Sequence, residues 1–111
     1  MQTVVETKAF SKRAAEILTA DERDELIWFL AANPMAGAVI PKTGGVRKLR
    51  WQAKNKGTRG GSRVIYYAHD DWQPIFALLV YGKGEADDLS PDEKKALTKL
   101  AAVLKAGLKG S

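Results

Sequence analysis

The sequence predicts an α+β fold in which an antiparallel β-meander is packed by an N-terminal helical hairpin and a C-terminal helix. Apolar residues recur at helical spacing near both ends of the chain, and the middle of the chain contains strand-like runs separated by turn residues. The chain has 111 residues, of which 45% are hydrophobic and 28% are charged. This size and composition predict a single domain over residues 1–111 with a core of its own.

A short strand and two helices are predicted first. Thr3-Val4-Val5 is a β-branched run typical of a strand. A first amphipathic helix follows from the spacing of Phe10, Ala14, Ile17 and Leu18. Thr19-Ala20-Asp21-Glu22 predicts a capping box that begins the second helix, and Asn33-Pro34 predicts its end.

The meander and the last helix come next. Residues 37–45 are rich in Pro and Gly and are expected to form a connection. Strands are predicted over 46–52, 63–69 and 74–82, and the last should be covered on both faces because residues 75–80 are all apolar. Ser90-Pro91-Asp92-Glu93 predicts the start of the C-terminal helix. Its expected apolar stripe is Ala96, Leu97, Leu100, Ala101 and Leu104, and the expected core aromatics are Trp28, Trp51, Tyr66 and Phe76.

The composition excludes several kinds of chemistry. The chain has no cysteine and one histidine, His69, which leaves no disulfide framework, thiolate nucleophile or zinc finger. His69 falls at the strand end away from the basic loop and is expected to be dispensable. The glycine-rich run 57–62 lacks the spacing of the phosphate-binding fingerprints, so no nucleotide cofactor and no metal are expected. The apolar runs are too short to span a bilayer, and the N-terminus lacks signal-peptide features. These observations predict a cytoplasmic protein with no membrane partner.

Positive charge is concentrated in one segment. Residues 42–63 contain eight basic residues and no acidic one, whereas the other 89 residues contain ten basic and thirteen acidic residues. The basic residues of the segment are Lys42, Arg47, Lys48, Arg50, Lys54, Lys56, Arg59 and Arg63. Such a local positive field predicts a binding site for a polyanion, as in a nucleic-acid interface. A solvated charged loop is the alternative.

Strand alternation gathers several of these cations. In the strand 46–52 the side chains of Leu49 and Trp51 share one face, and those of Lys48, Arg50 and Gln52 share the other. Residues 53–62 read as a basic, glycine-rich loop, and Lys83 follows the last strand. Arg63 is expected on the face of Lys48 and Arg50, which predicts a concave cationic cluster.

The predicted cluster has the groups that RNA cleavage needs. A guanidinium stays charged and stabilises the anionic phosphorane with a bidentate fork. A lysine crowded by other cations has a lowered pKa and becomes usable as a base for the 2′-hydroxyl. Such a ribonuclease needs no histidine. Binding alone would require only neutralisation of phosphates.

The segments 45–50, 54–67 and 81–83, in this element order, resemble the HigB branch of the RelE toxins over about residues 3–104. The resemblance implies the RelE-like fold and the toxin of a bacterial type II toxin–antitoxin pair, which enters the ribosomal A site and cuts the mRNA there. It also implies a cognate antitoxin as partner, which is expected to be a helix-turn-helix protein. Operator DNA would be bound only through this antitoxin.

The resemblance assigns roles to residues of this chain. It implies that Arg63 stabilises the phosphorane and that the base is one of Lys48, Arg50, Lys54 and Lys56, with Lys83 a functional basic residue. The catalytic set is therefore expected to be Lys54, Lys56, Arg63 and Lys83, and the RNA-binding set Lys42, Arg47, Lys48, Arg50, Arg59, Tyr67 and Tyr81. Two departures matter: Gly84 stands where relatives place an arginine, and the acidic region 85–88 stands where they place a stacking tyrosine. Tyr81 is the expected replacement, and the general acid stays unassigned.

Two other classes of function fit the same residues. One is a basic RNA- or DNA-binding module without chemistry, such as a toxin relative that has lost activity. The other is an interaction protein whose cationic patch serves only an acidic segment of its antitoxin.

Overall fold

The computed structural model describes residues 2–52, 61–70, 72–82, 85 and 89–109. In chain order the elements are β1 (Val4–Glu6), α1 (Lys8–Ile17), α2 (Ala20–Ala32), β2 (Ala38–Val39), β3 (Val46–Trp51), β4 (Ser62–Ala68), β5 (Ile75–Gly82) and α3 (Pro91–Lys109). The α+β class, the helical hairpin and the C-terminal helix are confirmed. Within these ranges, every helix is too short or too polar to cross a bilayer.

The strands form one five-stranded sheet in the order β1-β5-β4-β3-β2. The predicted antiparallel meander is confirmed for β3, β4 and β5. The sheet as a whole is mixed, however, because β1 runs parallel to β5, with Val4 beside Ile75. A parallel neighbour is reached through a long crossover, and here the chain between β1 and β5 supplies it.

The connection predicted over residues 37–45 contains a strand. Ala38 and Val39 form β2, which pairs antiparallel with Lys48 and Arg47 of β3. A strand of two residues is too short to show the alternation by which strands are recognised in a sequence. The hairpin of β2 and β3 closes through the Ile40 N–H, which donates to the Val46 carbonyl at 2.8 Å.

The sheet separates two apolar clusters. On one face Phe10, Leu26 and Leu30 of the hairpin pack on Val64 and Tyr66, and on the other Leu97 and Leu100 of α3 pack on Val46, Ile65 and Tyr67. The predicted coverage of β5 on both faces is confirmed, since residues of β5 belong to both clusters. Two expectations fail: Trp28 is 66% exposed, and Ala96 is exposed.

Both predicted helix starts have their caps. The Thr19 hydroxyl accepts the Glu22 N–H and the Glu22 carboxylate accepts the Thr19 N–H, which is the capping box at α2. Ser90 and Glu93 make the same reciprocal pair at α3. Each pair satisfies N–H groups that a helix leaves without intrahelical partners.

A bulge in β5 ties the sheet to α1. Ile65 lies opposite Leu79 and Tyr66 opposite Ala77, so Leu78 is the extra residue. The Thr7 hydroxyl donates to the Leu78 carbonyl at 3.0 Å and accepts the Phe10 N–H at 3.1 Å. One side chain therefore caps α1 and anchors it to the bulge.

Candidate nucleic-acid interface

Two arginines and a tyrosine form a row across the meander. Arg63 of β4 lies opposite Arg50 of β3 on one side and Tyr81 of β5 on the other. Directly opposite residues share a sheet face, with Cβ atoms about 4.5–5.5 Å apart. Arg63 is 7% exposed, whereas Arg50 is exposed at the rim.

Neither arginine of the row makes an ion pair with a carboxylate among the described residues. The Arg63 guanidinium donates to the Gly61 carbonyl at 3.4 Å, and the ion pairs of the described residues involve neither Arg50 nor Arg63. Like charges opposite each other destabilise a sheet, and a poorly solvated cation requires compensation. An anion bound over the row would supply that compensation.

Lys48 lies one step further along the same strand face. It is opposite Ile65, whose side chain belongs to the cluster on the α3 side, and it is half-buried. Lys48, Arg50 and Arg63 thus occupy one face of the sheet, as alternation requires.

Arg47 points to the opposite face. It lies opposite Tyr66, and its guanidinium donates to the Gly37 carbonyl at 2.6 Å and to the Met35 carbonyl at 3.4 Å. The structure therefore separates Arg47 from the arginine row and engages it in holding the chain before β2. The RNA contact expected for Arg47 finds no support in this placement.

Tyr66 also holds the chain at Gly37. Its hydroxyl accepts the Gly37 N–H at 2.7 Å. Burial raises the pKa of Tyr66, while the Gly37 hydrogen bond and the Arg47 charge act in the opposite direction. A Cβ at Gly37 would lie 2.9 Å from the Tyr66 ring, so this approach requires glycine.

The two tyrosines expected to stack on bases differ in position. Tyr67 is 2% exposed within the α3-side cluster, and burial and then Asp70 raise its pKa. Its hydroxyl lies 3.4 Å from Nδ1 of His69, at the β4 end remote from Arg63. Tyr81 is 7% exposed but adjoins Arg63 in the row. Of the two, only Tyr81 lies at the same end of β4 as Arg63.

Lys42 lies in the β2–β3 turn on the α3 side. It is exposed and has a φ of 64°, a left-handed conformation uncommon outside glycine. Thr43 stabilises the turn, because its buried hydroxyl donates to the Ile40 carbonyl at 2.6 Å and accepts the Val46 N–H at 3.1 Å.

Four predicted residues, Lys54, Lys56, Arg59 and Lys83, lie outside the described residues. The residues that precede and follow the gap between β3 and β4 belong to the same end of the meander as the row, since Trp51 pairs with Ser62. Gly82, the residue before Lys83, also pairs with Ser62.

Sequence reasoning missed Glu85. Its Oε1 accepts the Gly82 N–H at 2.5 Å, and its other carboxylate oxygen contacts the Arg13 guanidinium of α1. The acidic region treated as a departure therefore contains the residue that ties the end of β5 to α1. The only sequence signal for this role of Glu85 is an acidic residue shortly after the predicted end of a strand.

The turn after His69 is a local structure. Asp70 Oδ1 accepts the backbone N–H groups of Trp72 and Gln73 at 2.7 and 2.8 Å. These hydrogen bonds, that of Trp72 foremost, lower the pKa of Asp70. The turn lies at the opposite end of β4 from Arg63, away from the row.

The fold is a small α+β domain with two arginines paired on one face of its sheet. The family model described as RelE toxin of the RelE / RelB toxin-antitoxin system matches residues 3–109. The chain belongs to the RelE toxin family, and it is a toxin of a toxin–antitoxin system. The match covers the RelE family as a whole, so the narrower HigB assignment stays a prediction.

Proposed function

We propose that this toxin is a ribosome-dependent endoribonuclease that cleaves mRNA in the ribosomal A site, acts in the cytoplasm and is held inactive by its cognate antitoxin. The supporting observation is the row of Arg50 and Arg63, where Arg63 is 7% exposed and makes no ion pair with a carboxylate among the described residues. Membership of the RelE family, whose members are typically endoribonucleases, supports the same activity.

Cleavage proceeds through the RNA itself in this proposal. The 2′-oxygen attacks the adjacent phosphorus, its proton passes to a base, and the 5′-oxygen leaves with a proton from an acid, which yields a 2′,3′-cyclic phosphate. Arg63 stabilises the phosphorane because its guanidinium donates to two oxygens at once. Arg50 and Lys48 bind phosphate oxygens on the same face. Lys54 or Lys56 is the base, Lys83 assists, and the acid is unassigned.

The deciding experiment compares wild-type protein with Arg63→Ala and Arg63→Lys in a purified translation system with a defined codon in the A site. Loss of one donor to a developing oxyanion costs about 10²–10³-fold in rate, so we expect Arg63→Ala to slow cleavage by at least about 10²-fold. Arg63→Lys should recover only part of it, because an ammonium lacks the planar fork. Lys12→Ala, an exposed change on α1, should cleave at the wild-type rate.

Circular dichroism must show the same secondary structure in all variants. If Arg63→Ala cleaves as fast as wild type, the assigned role of Arg63 is wrong. If wild-type protein binds RNA but leaves A-site messages intact, the chain is a non-catalytic binding module instead.

A further inference from the structure

A groove on the α3 side of the sheet carries five lysines. One cavity, of about 350 Å³, lies between β2, β3 and the start of α3 and includes Lys48 and Lys94. A second, of about 540 Å³, includes Lys42, Lys94, Lys95 and Lys99. The cavities share Leu89 and Lys94, so they form one surface, which we call the α3 groove.

The charged residues that line the α3 groove, among those described, are all lysines. No carboxylate lines either cavity among the described residues. Asp92 and Glu93 are next to it in sequence, but the Glu93 carboxylate accepts the Ser90 N–H at the start of the helix. Among residues within the described ranges, Lys42, Lys94, Lys95 and Lys99 make no ion pair. These four cations repel each other and attract a polyanion.

The α3 groove continues the arginine row. Lys48 belongs to the groove and lies two residues from Arg50 on the same strand face, a separation of about 7 Å. Beyond Lys48 come Lys94 and then Lys95 and Lys99, the last two one helical turn apart on α3. Positive charge therefore extends from Arg63 across β3 and along α3 without an intervening carboxylate among these residues.

We propose that the α3 groove binds the sugar–phosphate backbone of RNA beyond the cleaved phosphate. This inference rests on the proposed function, because it assigns the surface next to the cleavage site to the same RNA substrate. Lysines are flexible point charges, which suits phosphate contacts without base recognition. The groove thus contributes affinity and orientation, while the arginine row acts on the scissile phosphate.

The test is the triple variant Lys94→Gln/Lys95→Gln/Lys99→Gln. Its matched control, Lys8→Gln/Lys12→Gln/Lys105→Gln, removes the same charge from exposed positions outside the groove. Two binding arms use a single-stranded RNA blocked by 2′-O-methyl groups and ribosomes without message, each titrated over a range of KCl concentrations. A third arm measures A-site cleavage at increasing ribosome concentration.

Three lost phosphate contacts should reduce the slope of log affinity against log salt by about 2 for single-stranded RNA. For cleavage we expect the half-saturating ribosome concentration to rise at least about tenfold, while the rate at saturation stays within about twofold. The control should match wild type. A changed slope in the RNA arm, alone or together with the ribosome arm, supports the proposal; a change confined to the ribosome arm would overturn it, because the occupant would then be ribosomal RNA rather than the message strand.

Equal slopes for the groove variant and its control would overturn the proposal. Wild-type RNA and ribosome binding combined with lost antitoxin binding would overturn it too, because the occupant would then be a protein. If wild-type protein cleaves no message yet the groove variant still loses RNA affinity, the proposed function fails and the α3 groove stands.

Discussion

At the scale of single residues, the arginine row favours the binding of an anion but lowers the stability of the sheet. Arg50 and Arg63 lie directly opposite each other on neighbouring strands, where like charges oppose pairing. A sheet selected for stability alone would place opposite charges there. The repulsion is useful only if an anion relieves it, which agrees with the proposed phosphate site.

The variant Arg50→Glu separates these two effects. It replaces a repulsive pair by an attractive one, so we expect the free energy of unfolding to rise by about 0.2–1 kcal/mol. The same carboxylate repels phosphate and neutralises Arg63, so cleavage should fall by at least about tenfold. Urea denaturation and the A-site assay measure the two quantities.

Arg50→Gln is the control, since it removes repulsion without adding attraction and should lie between wild type and Arg50→Glu in stability. A lower urea midpoint for Arg50→Glu than for wild type would show that the two side chains do not interact across the strands.

The sequence predicted the shared face of Lys48, Arg50 and Arg63, because strand alternation is fixed by the backbone. It could not predict that Arg47 bonds the Gly37 carbonyl. That contact depends on the fold, which also brings the Tyr66 hydroxyl to the Gly37 N–H. Nor could it show that Trp28 of α2 is 66% exposed.

At the scale of elements, Thr7 connects α1 to the bulge in β5. Its hydroxyl caps α1 through the Phe10 N–H and also bonds the Leu78 carbonyl in the β5 bulge. The bulge places Leu78 and Leu79 in the α3-side cluster, while Ala77 and Val80 belong to the other. Thr7 thus bonds β5 at the residue where the register changes.

Replacement of Thr7 should show this coupling. Thr7→Ala removes both hydrogen bonds and is expected to lower the free energy of unfolding by about 1–2 kcal/mol, while Thr7→Ser keeps the hydroxyl and should lose much less. Chemical denaturation of the two variants measures the difference. Equal losses would mean that the Thr7 methyl group, rather than its hydroxyl, stabilises this region.

Helix starts were the best predicted elements, because capping boxes are local and depend on residues three apart. The direction of β1 was not predictable from its residues. A β-branched run specifies a strand but not its partner, and the parallel pairing of Val4 with Ile75 joins residues that are far apart in the sequence.

At the scale of the whole molecule, one sheet separates two clusters that have strands β4 and β5 in common. Since neither cluster can be exposed without disrupting these strands, unfolding should be a single cooperative transition, as for most proteins of this size.

Tryptophan fluorescence offers a measurement of that transition. Trp51 is 7% exposed, whereas Trp28 and Trp72 are 66% and 88% exposed. We expect the emission shift on unfolding to come mainly from Trp51 and to coincide with the loss of far-ultraviolet circular dichroism. Trp51→Phe should remove most of the shift and Trp72→Phe should retain it. A shift that survives Trp51→Phe, or precedes the circular dichroism change, would contradict a shared transition.

The parallel pairing of β1 with β5 also bears on how the toxin is made. Synthesis runs from the N-terminus, so Val4–Glu6 emerges long before its neighbour Ile75–Gly82 exists. A growing chain that stops short of β5 lacks the strand that bonds β1 on one edge and carries Tyr81 beside Arg63 on the other. A folded toxin therefore cannot form on the translating ribosome until β5 has been synthesised.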